Sequence, residues 1–237
     1  MDDRTTALTA RISPRWTNPR AVAGFTSGGP NEVLVAWASR HAAASETGRR
    51  SWCLDIGSGA ARNAVALAAL GYRVVAADLS SPMLEGARTR LADSPVADNV
   101  HLVLAPMAPL PLADASVDLV VAHGIWNLAG SGAEFRLALA EAARVARPGA
   151  GLFVFTFSRR TLAADATPDP GESFVFSSWN GEPQCFHTEE ALIAELAAVG
   201  FTRDTRGPLT EYNAPRQGDV RLSGMPPVIY EGTFVRR

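Results

Sequence analysis

The feature that most constrains this chain is the stretch Cys53-Leu54-Asp55-Ile56-Gly57-Ser58-Gly59-Ala60-Ala61-Arg62, an apolar run closed by an acid and two glycines and followed by an alanine-rich helical pattern. It reads as strand, tight turn and helix. Glycines at such a turn open φ values closed to other residues and let a ligand approach the backbone, while free N–H groups at the start of the helix point toward that ligand. A chain built on this unit folds as a parallel α/β sheet with a small-molecule cradle at the turn.

The residues around the turn narrow the ligand. A dinucleotide fingerprint would read Gly-x-Gly-x-x-Gly/Ala, and the sixth position here is Arg62. Asp55 would set a carboxylate close to any pyrophosphate in the turn, whereas it suits a cofactor that carries an ammonium group and no phosphate. S-adenosylmethionine is such a cofactor. Asp78, at the end of the next apolar run Val74-Val75-Ala76-Ala77, stands where an acid accepts hydrogen bonds from both ribose hydroxyls.

Leu54-Asp55-Ile56-Gly57-Ser58-Gly59 together with Asp78-Leu79-Ser80-Ser81-Pro82-Met83-Leu84 resembles the class I S-adenosylmethionine-dependent methyltransferases, over roughly residues 50–157. The resemblance implies a Rossmann-like α/β fold: a seven-stranded, mostly parallel sheet, an antiparallel last strand inserted between its neighbours, and helices on both faces. It implies a cofactor site formed by Asp55, Gly57, Ser58, Gly59, Arg62, Asp78, Leu79, Met83, Pro106, Met107, Ala108 and His123, with S-adenosylhomocysteine as product. The position after strand three that commonly carries an acid facing the adenine amino group is Pro106 here, which leaves the Met107 backbone and the side chains of Met107 and Leu110 to hold the base.

Composition sets the remaining bounds. The 237 residues are 47% hydrophobic and 19% charged with a net charge of −2, which suits a globular protein and gives no overall pull toward nucleic acid. Cys53 and Cys185 are the two thiols, and neither belongs to a CxxC or Cys/His cluster, so a structural zinc is not expected. The N-terminus has no apolar signal core and no apolar run approaches the roughly 18 residues that span a bilayer, so the expected location is the cytoplasm.

Read in order, the chain is expected to be one methyltransferase domain over 1–237. Residues 1–29 are polar and irregular, with Arg4, Arg11, Arg15 and Arg20 scattered among turn residues, and read as a flexible tail or an N-terminal lid. A helix is expected from Pro30 to about Ala44, then a turn over Glu46–Arg50, and the cofactor-binding core over 50–157. Strands are expected at Tyr72–Ala77, Val100–Leu104, Val117–Ala122 and Leu152–Phe157. Helices are expected at Asn63–Leu70, Ser81–Leu91 and Glu134–Ala146, the last ended by Pro148-Gly149. Residues 158–187 form a long, aromatic-bearing connection expected to cap the substrate. A C-terminal unit over 188–237 supplies a helix capped by Thr188, a strand from Phe201, a loop over Tyr212–Pro227, and a last strand over Val228–Val235.

Chemistry is expected just past the fourth strand, at His123-Gly124-Ile125-Trp126-Asn127-Leu128, the edge where open α/β sheets hold ligands. His123 and His187 are the candidate bases. Trp126, Asn127, Phe176, Trp179 and Tyr212 are the candidate substrate walls. In-line methyl displacement asks the protein mainly to hold reactants collinear and exclude water, which is consistent with the lack of a triad, carboxylate pair or metal motif. The expected function is methyl transfer to a small-molecule acceptor; a noncatalytic S-adenosylmethionine sensor and an RNA or protein methyltransferase are the alternatives.

Overall fold

The computed structural model describes residues 13–43, 50–205, 207, 209–214 and 225–237. Arg4, Arg11, the Glu46–Arg49 part of the expected turn and most of the loop before the last strand lie outside the described residues.

The apolar runs become strands β1 (Trp52–Ile56), β2 (Arg73–Asp78), β3 (Val100–Leu104), β4 (Val117–His123) and β5 (Ala146–Phe157). The sheet continues through β8 (Phe201–Arg203) and β10 (Ile229–Arg236), in the order β3-β2-β1-β4-β5-β10-β8. The first five run parallel, and β10 lies antiparallel to both β5 and β8. A short β9 (Thr210–Tyr212) adds to the same edge of β10, and β6 (Val175–Phe176) pairs with β7 (Gln184–Cys185) as a separate ribbon. These three short strands were not legible as strands in the sequence.

Period-two alternation sorts the sheet's side chains into two cores. Leu54, Ile56, Val75, Ala77, Val120, Ala122, Leu152 and Val154 pack with Phe135 and Leu139 of α5 (Gly132–Val145) and Leu192 and Leu196 of α6 (Glu189–Ala198). Cys53, Val74, Ala76, Leu119, Val121 and Phe153 pack on the other face. There they meet Leu34 and Trp37 of α2 (Glu32–Ala43), Leu67 of α3 (Arg62–Ala69), and Ala87 and Leu91 of α4 (Ser81–Leu91). Helices on both faces leave the carboxyl edge of the parallel strands open to a ligand.

Two expectations are corrected. Residues 19–27 are not irregular: they form helix α1 (Pro19–Ser27), with Asn18 accepting from the Arg20 N–H and Pro19 opening the first turn. No residue of α1 is fully buried, and the helix rests against α4. Pro148-Gly149 does not end α5. The helix stops at Val145, Ala146 is already extended, and β5 carries a register irregularity opposite Val117–Leu119, with Gly149 at φ +82°.

Candidate active site

The turn between β1 and α3 is built by left-handed backbone at Gly57 (φ +65°), Gly59 (φ +55°) and Ala61 (φ +57°). At Gly57 a side chain is excluded twice, since a Cβ would also come within 2.7 Å of Ile125. The turn's N–H groups are mostly spent inside the protein. Gly57 and Ser58 both donate to the Ala77 carbonyl (2.8 and 3.0 Å), and Gly59 donates to Asp78 Oδ2 (2.8 Å). These three turn amides are committed inside the protein and offer no phosphate cradle; the first amides of α3, which the sequence aims at the ligand, are not among them.

Asp78, at the end of β2, is held from two sides: Oδ2 accepts from Gly59 and Oδ1 from Ser80 N–H (2.8 Å). Burial raises its pKa, and these backbone bonds oppose the rise. Ser80, rather than Ser81, caps α4, accepting from Met83 N–H and donating to the Trp16 carbonyl (2.7 Å). Asp55 lies one layer beneath the turn, 1% exposed, with Oδ2 unpaired among the described residues. Burial first, then repulsion from Asp78, pushes its carboxyl up to about 7, with Arg62 pulling the other way.

These groups surround a cavity of about 640 Å³ at the carboxyl edge of the sheet. Gly57, Ser58, Gly59, Arg62, Asp78, Leu79, Met83, Pro106, Met107, Ala108 and His123 all line it; Asp55 does not. Leu110 is buried in the core instead of facing the cavity. Trp16 and Phe25, 5.7 Å apart, complete the wall beside the glycine turn, and Phe25 also carries the Arg62 guanidinium 5.8 Å from its ring centre. The N-terminal segment reaches there because Arg90 ties it down, donating to the carbonyls of Phe25, Thr26, Gly28 and Ala60. Isolated aromatics in a polar stretch were the only sequence signal for this wall.

His123 stacks on Phe155 (centroids 4.3 Å apart, 16° between planes). Its Nε2 lies 3.2 Å from Asn31 Nδ2, which also donates to Glu231 Oε2 (2.7 Å), while Asn31 Oδ1 accepts from the Leu34 N–H. An amide nitrogen beside two acceptors makes His123 Nε2 the proton acceptor and puts the ring proton on Nδ1. Burial, with Arg62 adding to it, lowers the His123 pKa to about 4. The ring is therefore neutral near pH 7, with Nε2 already engaged.

The other expected site residues are not brought to the cavity. His187 is fully buried between Phe135 and Phe174 (4.6 and 4.3 Å), with neither ring nitrogen paired among the described residues and its pKa pulled down to about 3, chiefly by burial. Trp126 and Asn127 are core residues, 0% and 2% exposed, because the short helix after β4 turns them inward. Phe176 is buried and meets Phe186 edge-on, with Trp179 against the same ring. Tyr212 sits on β9 and donates to Glu231 Oε1 (3.1 Å). Ile125, Leu128, Leu137, Glu134 and Gln184 line the cavity there instead.

A family model described as a methyltransferase domain matches residues 54–155, the segment from β1 to β5 that carries the turn, Asp78 and His123. A demethylmenaquinone methyltransferase of Parafrankia sp. is 38% identical over 187 residues, covering 63% of this chain and 69% of that protein. The chain belongs to the class I S-adenosylmethionine-dependent methyltransferases. A second demethylmenaquinone methyltransferase, from Clavibacter sepedonicus, is 39% identical over 129 residues, covering 54% of this chain and 49% of that one. The chain spans about half the length of most of the relatives it matches. Among solved methyltransferases, the Burkholderia thailandensis 1,6-didemethyltoxoflavin N1-methyltransferase, with 1,6-didemethyltoxoflavin and S-adenosylhomocysteine bound, superposes with a TM-score of 0.64. Its identity is 20%, and the match covers 99% of this chain and 89% of that one, a likeness of fold.

Proposed function

We propose that this chain transfers a methyl group from S-adenosylmethionine to a small ring acceptor of the demethylmenaquinone kind. The observation that carries the reading is the Asp78 clamp: a carboxylate fixed by two backbone donors at the cavity wall, beside a turn whose amides are spent. That pairing suits a nucleoside without phosphates. Asp78 would accept from ribose hydroxyls, and Leu79, Met83, Pro106, Met107 and Ala108 would enclose the base by apolar contact. Arg62 on the cavity wall supplies positive charge for a carboxylate, while Asp55, buried beneath the turn and off that wall, acts on an ammonium only through the field of its ionised form.

When bound, S-adenosylmethionine supplies an electrophilic methyl on a cationic sulfur. The protein's part is then to position and to exclude water. Phe155, stacked under His123, and Ile125 wall the region between the two halves of the cavity. His123 orients through its ring and accepts no further proton at Nε2, so an acceptor that ionises unaided fits this site better than an alcohol needing a base. A small-molecule rather than nucleic-acid partner is supported by the net charge of −2, and a cytoplasmic setting by the two free thiols. Among the described residues no helix is long and apolar enough to cross a membrane.

The test is incubation of the full chain with methyl-labelled S-adenosylmethionine and demethylmenaquinol, followed by mass analysis of the organic extract. Labelled product one methyl group heavier is expected. Undiminished cofactor and unmodified acceptor would overturn the acceptor assignment.

A further inference from the structure

Asn31 stands at the start of α2, where its Oδ1 accepts from the Leu34 N–H (2.8 Å) and its carbonyl from the Val35 N–H (3.0 Å), the pattern of a helix cap. Its backbone N–H donates to Oδ1 of Asn63 (2.9 Å), a buried residue in the first turn of α3 that lines the cavity. With the side-chain oxygen committed to the helix, the amide nitrogen is what remains, and it donates to Glu231 Oε2 (2.7 Å) and meets His123 Nε2 (3.2 Å). Glu231, 4% exposed on β10, is held in turn by the Tyr212 hydroxyl on Oε1 (3.1 Å). One residue therefore joins α2, α3, β4 and β10 behind the cavity wall.

Chemistry fixes the direction of each bond. An amide nitrogen cannot accept, and the helix holds the oxygen in place, so the Nε2 of His123 is bare; a protonated ring would set N–H against N–H and lose the contact. His123 itself lines the cavity, stacked on Phe155, and Arg62 acts on it electrostatically from the glycine turn. A further positive charge on this ring would oppose a donor whose sulfur is cationic. Resting on the methyltransferase reading, we infer that Asn31 is a positioning residue of the site: it holds His123 as an uncharged ring with the proton on Nδ1, and so keeps that ring from adding a positive charge beside a cationic methyl donor.

Exchanging the acid between the two positions, in the double variant Asn31→Asp with Glu231→Gln, tests this. Aspartate caps a helix as well as asparagine does, the pair keeps its net charge and its mutual hydrogen bond, and the bond to His123 alone has to reverse. Nitrogen NMR of the full chain with isotope-labelled histidine, with and without S-adenosylhomocysteine, shows which ring nitrogen carries the proton; among the four histidines, His123 is the one whose signals vanish in His123→Gln. The parent is expected to carry the proton on Nδ1. The double variant should carry it on Nε2 and take up a second proton at a proton concentration about tenfold or more lower than the parent requires, since a carboxylate now faces the ring. Between about pH 8 and about pH 5.5, the affinity for S-adenosylmethionine relative to S-adenosylhomocysteine, measured by calorimetry, should fall about twofold or more further in the variant than in the parent. A proton on Nε2 in the parent, which needs no variant to observe, the same tautomer in both proteins, or affinity ratios that run parallel would overturn this inference alone. Failure of the parent to bind either sulfur compound would overturn the methyltransferase reading, and this inference with it.

Discussion

Replacing Asp78 by Asn keeps the size of the side chain and removes one acceptor oxygen, so its effects can be worked out bond by bond. Asp78 now receives Gly59 and Ser80 N–H groups at 2.8 Å each, one on each oxygen. An amide can accept only one of them and turns its own N–H toward the other, leaving a buried donor unpaired at a cost of about 1–3 kcal/mol in stability. Ribose hydroxyls would exchange a charged acceptor for a neutral one, a loss of about 1.5–3 kcal/mol, which is about ten- to hundredfold in dissociation constant. There is an opposing effect: Asp78 is the second cause, after burial, of the raised Asp55 pKa, so its neutralisation lets Asp55 ionise more readily and recovers part of the attraction for an ammonium. The net expectation is about tenfold weaker S-adenosylhomocysteine binding at pH 8, measured by calorimetry alongside denaturant unfolding of the same sample. Affinity within twofold of the parent, in a variant that is destabilised as expected, would refute the ribose assignment while leaving the turn architecture intact.

Four further outcomes follow from the same geometry. Asp55 carries a carboxyl raised from 3.8 to about 7, so between those values the folded chain holds a proton that the unfolded chain releases. Stability is then lost as pH rises through that window, by up to about 4 kcal/mol, and Asp55→Asn should raise the thermal midpoint at pH 8 but not at pH 4. Because a bound cation favours the ionised carboxyl, cofactor affinity should also fall as pH drops below 7, with proton release on binding detected by calorimetry in buffers of different ionisation enthalpy. Arg90→Met should cost about 2–4 kcal/mol in chemical denaturation and expose the segment after Asn18 to protease, since it strips four carbonyls of their donor. The pH profile of kcat/KM should show no inflection near 6.5 from His123, whose pKa is lowered to about 4 and whose Nε2 already accepts from Asn31.

The parts of the fold set by local pattern were readable in advance. The runs at β1 to β4 and the Thr188 cap of α6 each have a strong signal in a few adjacent residues, whereas the antiparallel course of β10 is what the family resemblance implied. So was the cavity lining from Gly57 to Ala108, since those residues sit at the ends of parallel strands where position along the chain dictates position in space. The far end of the cavity was not. Trp126 and Phe176 have the composition of a substrate wall, and only tertiary packing turns their rings into the core. His187 is indistinguishable in sequence from a loop base, yet the bridge between Ser158 and His187 draws it under Phe135 and Phe174. Asn31 carries no local signature, because its significance comes from long-range neighbours, His123 and Glu231.

The most direct measurement is calorimetric titration of the full chain with S-adenosylmethionine and S-adenosylhomocysteine, with NADH as the control. Micromolar binding of both sulfur compounds and none of NADH is predicted by a cavity with an Asp78 clamp and no phosphate cradle. Binding of NADH in preference to either, or of none of the three, would contradict it.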